Sequence, residues 1–200
     1  MGKVKKLDML AETKFLKLYD ATYEDKLGNE GHWTLSSRKS KECLEGQYFE
    51  GKKEEPDAVV IVPYHKDEEK LVLIKQFRVP LNDYIYELPA GLIDNNEEVE
   101  FAAKRELKEE TGLKLEGILE NKTGEKLYLS PGMTDESVTL VYCICSGTIS
   151  KEYLEKEEDI ETILVSPKEA EKLLNSDKKF DIKCYIILQK FIHMKEKIFN

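Results

Sequence analysis

Cysteine, histidine and tryptophan are scarce: the 200 residues hold four, three and one of them. Cys43, Cys143, Cys145 and Cys184 form no C-x-x-C pair. On a strand Cys143 and Cys145, two apart in an apolar run, would share one face, where a disulfide is strained and a zinc site needs further ligands. Reduced thiols in a cytoplasmic protein are therefore expected. His32, His65 and His193 are scattered, with no metal-ligand spacing. No run approaches the roughly 20 apolar residues of a membrane span. Met1 to Glu12 lacks the apolar stretch and small-residue cleavage site of a signal peptide, so no membrane partner is expected. An excess of basic charge is missing too. Thirty-one Lys and Arg against 40 Asp and Glu give a formal charge of −9, which argues against general nucleic-acid binding. An acidic protein acting on an anionic substrate must neutralise it locally, and metal ions are the obvious means.

What is present suffices for a folded domain. A hydrophobic fraction of 40% can build a core, and the length suits one globular domain with room for an arm. Residues 14–24 and His32 to Ser37 read as a hairpin around Lys26-Leu-Gly-Asn, and the polar stretch Glu45 to Glu55 reads as a link. Asp57 to Tyr64, Leu71 to Val79, Tyr84 to Leu88, Leu115 to Leu129, Ser137 to Cys145 and Ile160 to Val165 are predicted strands. Glu97 to Thr111 has no Gly or Pro and predicts a helix ending at Gly112. Ser166-Pro167 reads as a helix start, and Asp181 to Phe199 as a packed C-terminal helix. The order predicts an α+β fold in layers.

The chemistry lies between Gly91 and Leu113. On a helix each residue advances roughly 100°, so Val99, Ala103 and Leu107 form a core-facing stripe. Relative to Leu107, Glu106 lies at roughly −100°, Glu110 at about −60° and Glu109 at about −160°. Three carboxylates thus share one arc beside the core, where their repulsion grows unless cations sit between them. Mg²⁺ or Mn²⁺ takes carboxylate oxygens and keeps waters for phosphates, so the arc suits water attack on a phosphoanhydride. Taken alone, the E-x-x-E-E pattern is more commonly that of a solvated acidic helix face.

The full segment matches G-x5-E-x7-R-E-U-x-E-E-x-G-U (U apolar) at every fixed position, through Gly91, Glu97, Arg105, Glu106, Leu107, Glu109, Glu110, Gly112 and Leu113. It resembles the Nudix hydrolases. The resemblance implies an α/β/α sandwich with a mixed sheet and a small N-terminal β region. It implies metal binding by Glu106, Glu109 and Glu110 with the Ala90 carbonyl, and an internal ion pair between Glu97 and Arg105. Gly91 and Gly112 become positions where a side chain would obstruct.

Three flanking stretches resemble the ADP-ribose and ADP-sugar diphosphatases of that family. In Lys75-Gln-Phe-Arg78 and Tyr86-Glu-Leu-Pro-Ala-Gly91, the resemblance implies that Arg78 contacts phosphate or terminal ribose and that Glu87 lies in the site. An edge-strand arginine paired with a surface acid is the alternative. Ser130-Pro-Gly-Met-Thr-Asp-Glu136 resembles a loop whose glutamate serves catalysis, making Glu136 the candidate general base; an ordinary Pro-Gly turn is the alternative. The run from Tyr23 to Arg38 resembles a hairpin that crosses to a partner subunit, with Trp33 stacking on adenine or simply packing. His32, where relatives often carry a basic residue, and Leu81-Asn82-Asp83 depart from the subfamily pattern.

The implied protein is a cytoplasmic homodimer: an arm over 1–50 for dimerisation and adenine contact, and a Nudix domain over 51–200. It would hydrolyse a nucleoside diphosphate-linked small molecule, foremost ADP-ribose, to AMP and ribose 5-phosphate with Mg²⁺ or Mn²⁺. Another nucleotide sugar or dinucleotide (GDP-mannose, NADH) and a non-catalytic ADP-ribose-sensing module are the alternatives.

Overall fold

The computed structural model describes residues 1–199. They divide into two compact units, Met1–Asp57 with Lys126–Val138, and the remainder. In the smaller unit β1 (Lys3–Glu12), β2 (Lys17–Glu24) and β3 (Glu30–Ser37) form an antiparallel sheet in chain order. The expected hairpin is β2–β3, closed by Asp25, whose Oδ1 accepts the N–H groups of Leu27 and Asn29. Strand β1 was not expected. It is a charged edge strand that fully buries only Leu7 and shifts register after Val4 and Met9, so it lacks the alternation that marks a strand.

A helix, α1 (Lys41–Phe49), takes part of the stretch expected as a link. Ser40 caps it by accepting the Cys43 N–H at 3.2 Å. Its one buried large side chain is Leu44, set against Leu7, Tyr19 and Ala21. A single anchor leaves no apolar stripe to read, although its burial is worth about 1.5–3 kcal/mol.

The larger unit holds β4 (Ala58–His65), β5 (Lys70–Arg78), β6 (Asp83–Glu87), β7 (Ala90–Leu92), α2 (Val99–Thr111) and β8 (Lys114–Ile118). After β9 (Gly124–Tyr128) come β10 (Ser137–Ser146), β11 (Ile160–Val165), α3 (Pro167–Leu174) and α4 (Ile182–Met194). The sheet order is β11-β5-β4-β10-β8, with β6 paired to β5, β7 to β4 and β9 to β10. Asp57 N–H bonds Ser137 O and Lys66 N–H bonds Cys145 O, so β4 and β10 run the same way while β4–β5 and β10–β8 are antiparallel. The sheet is mixed, as expected.

Alternation along the strands makes the layers. Val59 and Ile61 of β4 and Val141, Cys143 and Cys145 of β10 face Ala102, Ala103 and Leu107 of α2. Tyr64 and Tyr142 point the other way, onto Phe191 of α4 and Phe199. Cys143, Cys145 and Cys184 are buried free thiols. Among the described residues no helix is long and apolar enough to cross a membrane.

Three boundaries differ from expectation. Helix α2 starts at Val99, because Glu97 is bonded to Asp94 N–H and Arg105 and stays in the loop. The single strand expected over Leu115 to Leu129 is split by a 3-10 turn at Glu120–Lys122. The C-terminal helix stops at Met194, where Lys195 takes φ 52° and a 3-10 turn follows. The Ser166 cap is as expected, completed by Glu169 as a capping box.

Gly112 closes α2 at φ 76°, donating its N–H to Lys108 O, and a Cβ there would lie 2.6 Å from the Ser150 nitrogen. Gly112→Ala is expected to lose about 1–3 kcal/mol of stability in urea unfolding. An unchanged midpoint would refute the strain.

Candidate active site

Within the larger unit, the loop after β7 and the second half of α2 are joined by one guanidinium. Arg105 grips Glu97 with Nε at 3.0 Å and a terminal nitrogen at 2.8 Å. The same terminal nitrogen donates to Leu92 O at 2.9 Å, and the other reaches Glu106 at 2.6 Å and Glu109 at 3.2 Å. These pairs hold the Arg105 pKa above its ordinary value, the Glu97 bonds contributing most, and hold the Glu97 carboxyl below its own. The expected Glu97–Arg105 pair is therefore present. Its extension to Glu106 and Glu109 was not read from the sequence.

Glu106 and Glu110 sit one turn apart. Glu110 is only 3% exposed, and its carboxylate accepts the Ala90 N–H at 3.0 Å. Burial drives its pKa well up, the Ala90 bond opposes this, and the charges of Glu106 and Glu158 push it further. Burial also raises Glu106, against the pull of Arg105. Gly91 makes room for this pair: a Cβ there would lie 1.9 Å from the Glu106 carboxyl carbon. Only glycine lets the loop pass so close.

Arg78, ending β5, donates through Nε to Glu87 of β6 at 2.7 Å, so these two candidates meet across neighbouring strands. Burial raises the Glu87 carboxyl and Arg78 offsets it. The charge of Arg78 also acts on Glu110. Glu158 was missed in the sequence. Its charge bears on both Glu106 and Glu110, yet it belongs to the run Glu155-Lys-Glu-Glu-Asp159, which reads as ordinary solvated charge.

A family profile described as NUDIX domain matches residues 54–185. The chain belongs to the NUDIX domain family. It is similar to an "ADP-ribose pyrophosphatase" of Bacillus subtilis, 34% identical over 147 residues, covering 72% of this chain and 75% of that one. It is also similar to an "ADP-sugar pyrophosphatase" of Mus musculus, 36% identical over 146 residues, covering 70% of this chain but only 60% of the mouse protein. A solved structure described as "Crystal structure of ADP compounds hydrolase" superposes with a TM-score of 0.70 at 21% identity, over 98% of this chain and 94% of that one. That likeness bears on the fold alone.

The remaining NUDIX candidates lie in the smaller unit. Trp33 is 52% exposed on β3 and donates its indole N–H to Gly132 O at 3.3 Å. With Val4, Ala21, Tyr23 and Leu35 it lines a concavity of about 360 Å³. Glu136 accepts from Arg38 Nε at 2.8 Å. Arg38 carried no assignment in the sequence.

The donors suit a hard divalent cation: carboxylate oxygens, one deeply buried, beside a glycine whose missing side chain makes room for the Glu106 carboxylate. Among the described residues no three such side chains converge on one point, because Arg105 holds Glu106 and Glu109 while Glu110 bonds Ala90. In the metal-free protein the raised Glu110 pKa means that the native state keeps a proton the unfolded state releases. Stability therefore falls as pH rises above the ordinary value of 4.5. Glu110→Gln is expected to melt higher than the parent at about pH 8 without metal, by roughly 2–4 °C per kcal/mol relieved, and equally at about pH 4. Added Mg²⁺ should raise the melting temperature of the parent more than that of the variant. A variant that melts lower at the alkaline pH would overturn the burial cost.

Proposed function

We propose that this chain hydrolyses the diphosphate bond of ADP-ribose, taking up water and releasing AMP and ribose 5-phosphate, or that of a closely related ADP-sugar, releasing AMP and the corresponding sugar phosphate. The observation that carries the reading is the buried Glu110 beside Glu106 under Gly91, within a box that keeps all of its carboxylates. The substrate class is supported by the names of the Bacillus and mouse relatives.

Glu106, Glu109, Glu110 and the Ala90 carbonyl would hold the metal. A bound Mg²⁺ or Mn²⁺ offsets charge on the diphosphate and makes a bound water more acidic. The planar fork of Arg78, steadied by Glu87, binds and orients phosphate oxygens. Arg105 and Glu97 keep loop and helix in register. Glu136 takes a proton from the attacking water. Trp33 offers a half-exposed face on which adenine stacks, and the arm over 1–50 joins two copies into a homodimer. The buried free thiols accord with a reducing cytoplasm.

The first test is turnover of ADP-ribose, ADP-glucose, GDP-mannose, NADH and diadenosine polyphosphates with Mg²⁺, resolving products by chromatography. AMP and ribose 5-phosphate, formed fastest from ADP-ribose, are expected, and Glu106→Gln should lower kcat by about a hundredfold or more. Faster cleavage of another diphosphate removes the substrate assignment. Binding of ADP-ribose with no turnover would instead mark a sensing module. Trp33→Ala is expected to raise KM for ADP-ribose by about tenfold; an unchanged KM removes the stacking role.

A further inference from the structure

Within the smaller unit, the segment 33–39 runs beside the Ser130–Glu136 loop and holds it at successive points. Trp33 bonds Gly132 O, and Ser36 gives both N–H and hydroxyl to Met133 O, at 2.9 and 3.3 Å. The last two holds join consecutive basic residues to consecutive acids. Arg38 pairs with Glu136, and the Lys39 ammonium pairs with Asp135 at 2.9 Å. The first pair is partly exposed. The second is buried: the side chains of Lys39 and Asp135 are 9% and 14% exposed.

Lys39 also lies 2.8 and 2.9 Å from the two carboxylate oxygens of Asp57. One of these oxygens accepts the Ser137 N–H, while the Asp57 N–H bonds Ser137 O. The Lys39 backbone is itself fixed, its carbonyl by the Tyr19 hydroxyl and its N–H by Ser37 Oγ. One ammonium thus ties together three stretches distant in sequence: the end of β3, the start of β4 and the loop before β10.

As a stabilising device this is poor. Two carboxylates share one cation, and the buried atoms Asp135 Oδ1 and Ser137 Oγ have no partner. Apolar side chains would pack there at less cost in desolvation. What the arrangement specifies is direction. An ammonium fixed between two carboxylates sets where Asp135 points, and so the backbone from which Glu136 projects.

We propose that Lys39 is a positioning residue: its buried ammonium, shared by Asp57 and Asp135, orders the Ser130–Glu136 loop and thereby aims Glu136. The kinetic consequence rests on the reading of Glu136 as the proton acceptor.

The test uses the full chain with Lys39→Met, and Asp135→Asn as a milder variant that keeps the shape should the first fail to fold. Hydrogen exchange of residues 130–137 is expected to quicken by about tenfold, with exchange in α2 unchanged. With ADP-ribose and Mg²⁺, kcat should fall by about tenfold while KM moves less than about threefold, since a misaimed group costs rate rather than affinity. Unaltered exchange in that loop overturns the inference, whatever Glu136 does. So does faster exchange with kcat retained, in a protein whose Glu136→Gln variant is inactive. Full activity of Glu136→Gln overturns the reading of Glu136 instead, and exchange alone then decides for or against Lys39.

Discussion

The box depends on the desolvation of Glu110. A carboxylate 3% exposed, one helical turn from Glu106, is costly to ionise. The neighbouring groups serve to make that charge tolerable. The Ala90 N–H reaches it directly, Arg78 acts on it from β5, and Arg105 draws off the charge of Glu106 and Glu109. Gly91 keeps the loop thin enough for Ala90 to come within hydrogen-bond distance while Glu106 fills the space beside it. The same burial that penalises the Glu110 charge would strengthen its attraction to a cation placed beside it.

Arg105 adds rigidity to this electrostatic role. Its donors span Glu97 and Leu92 on the loop and Glu106 and Glu109 on the helix. Lysine, a point charge with three rotatable donors, could not hold both sides in one plane. The same pairing shortens α2, because Glu97 is held out of the first turn. In the smaller unit a different cation performs a related task, as Lys39 unites Asp57 and Asp135.

Much of this was legible where neighbours in space are neighbours in sequence. The Asp25 turn, the Ser166 cap, the α2 stripe and the Glu97–Arg105 pair all join residues no more than eight positions apart. The strand β1 and the helix α1 were not legible, because each is secured by one deep anchor, Leu7 or Leu44, rather than by a pattern. Glu158 and Lys39 were hidden for another reason. A charged residue in a charged stretch reads as solvated until tertiary contacts show what it faces.

The helical period in the sequence by itself places Glu106, Glu109 and Glu110 on one arc, and the match of the whole segment to the box, rather than that arc, pointed to the reaction class. The sequence also determined the α+β layering, through the order of short apolar strands and helices and the apolar stripe of α2. Only the tertiary structure decided how deeply Glu110 is buried, that Arg105 serves three carboxylates, and that Asp57 and Asp135 share one lysine. Periodicity constrains a residue's direction within its own element. Burial and long-range ion pairs depend on which other elements arrive beside it, and that follows from the packing of the whole unit.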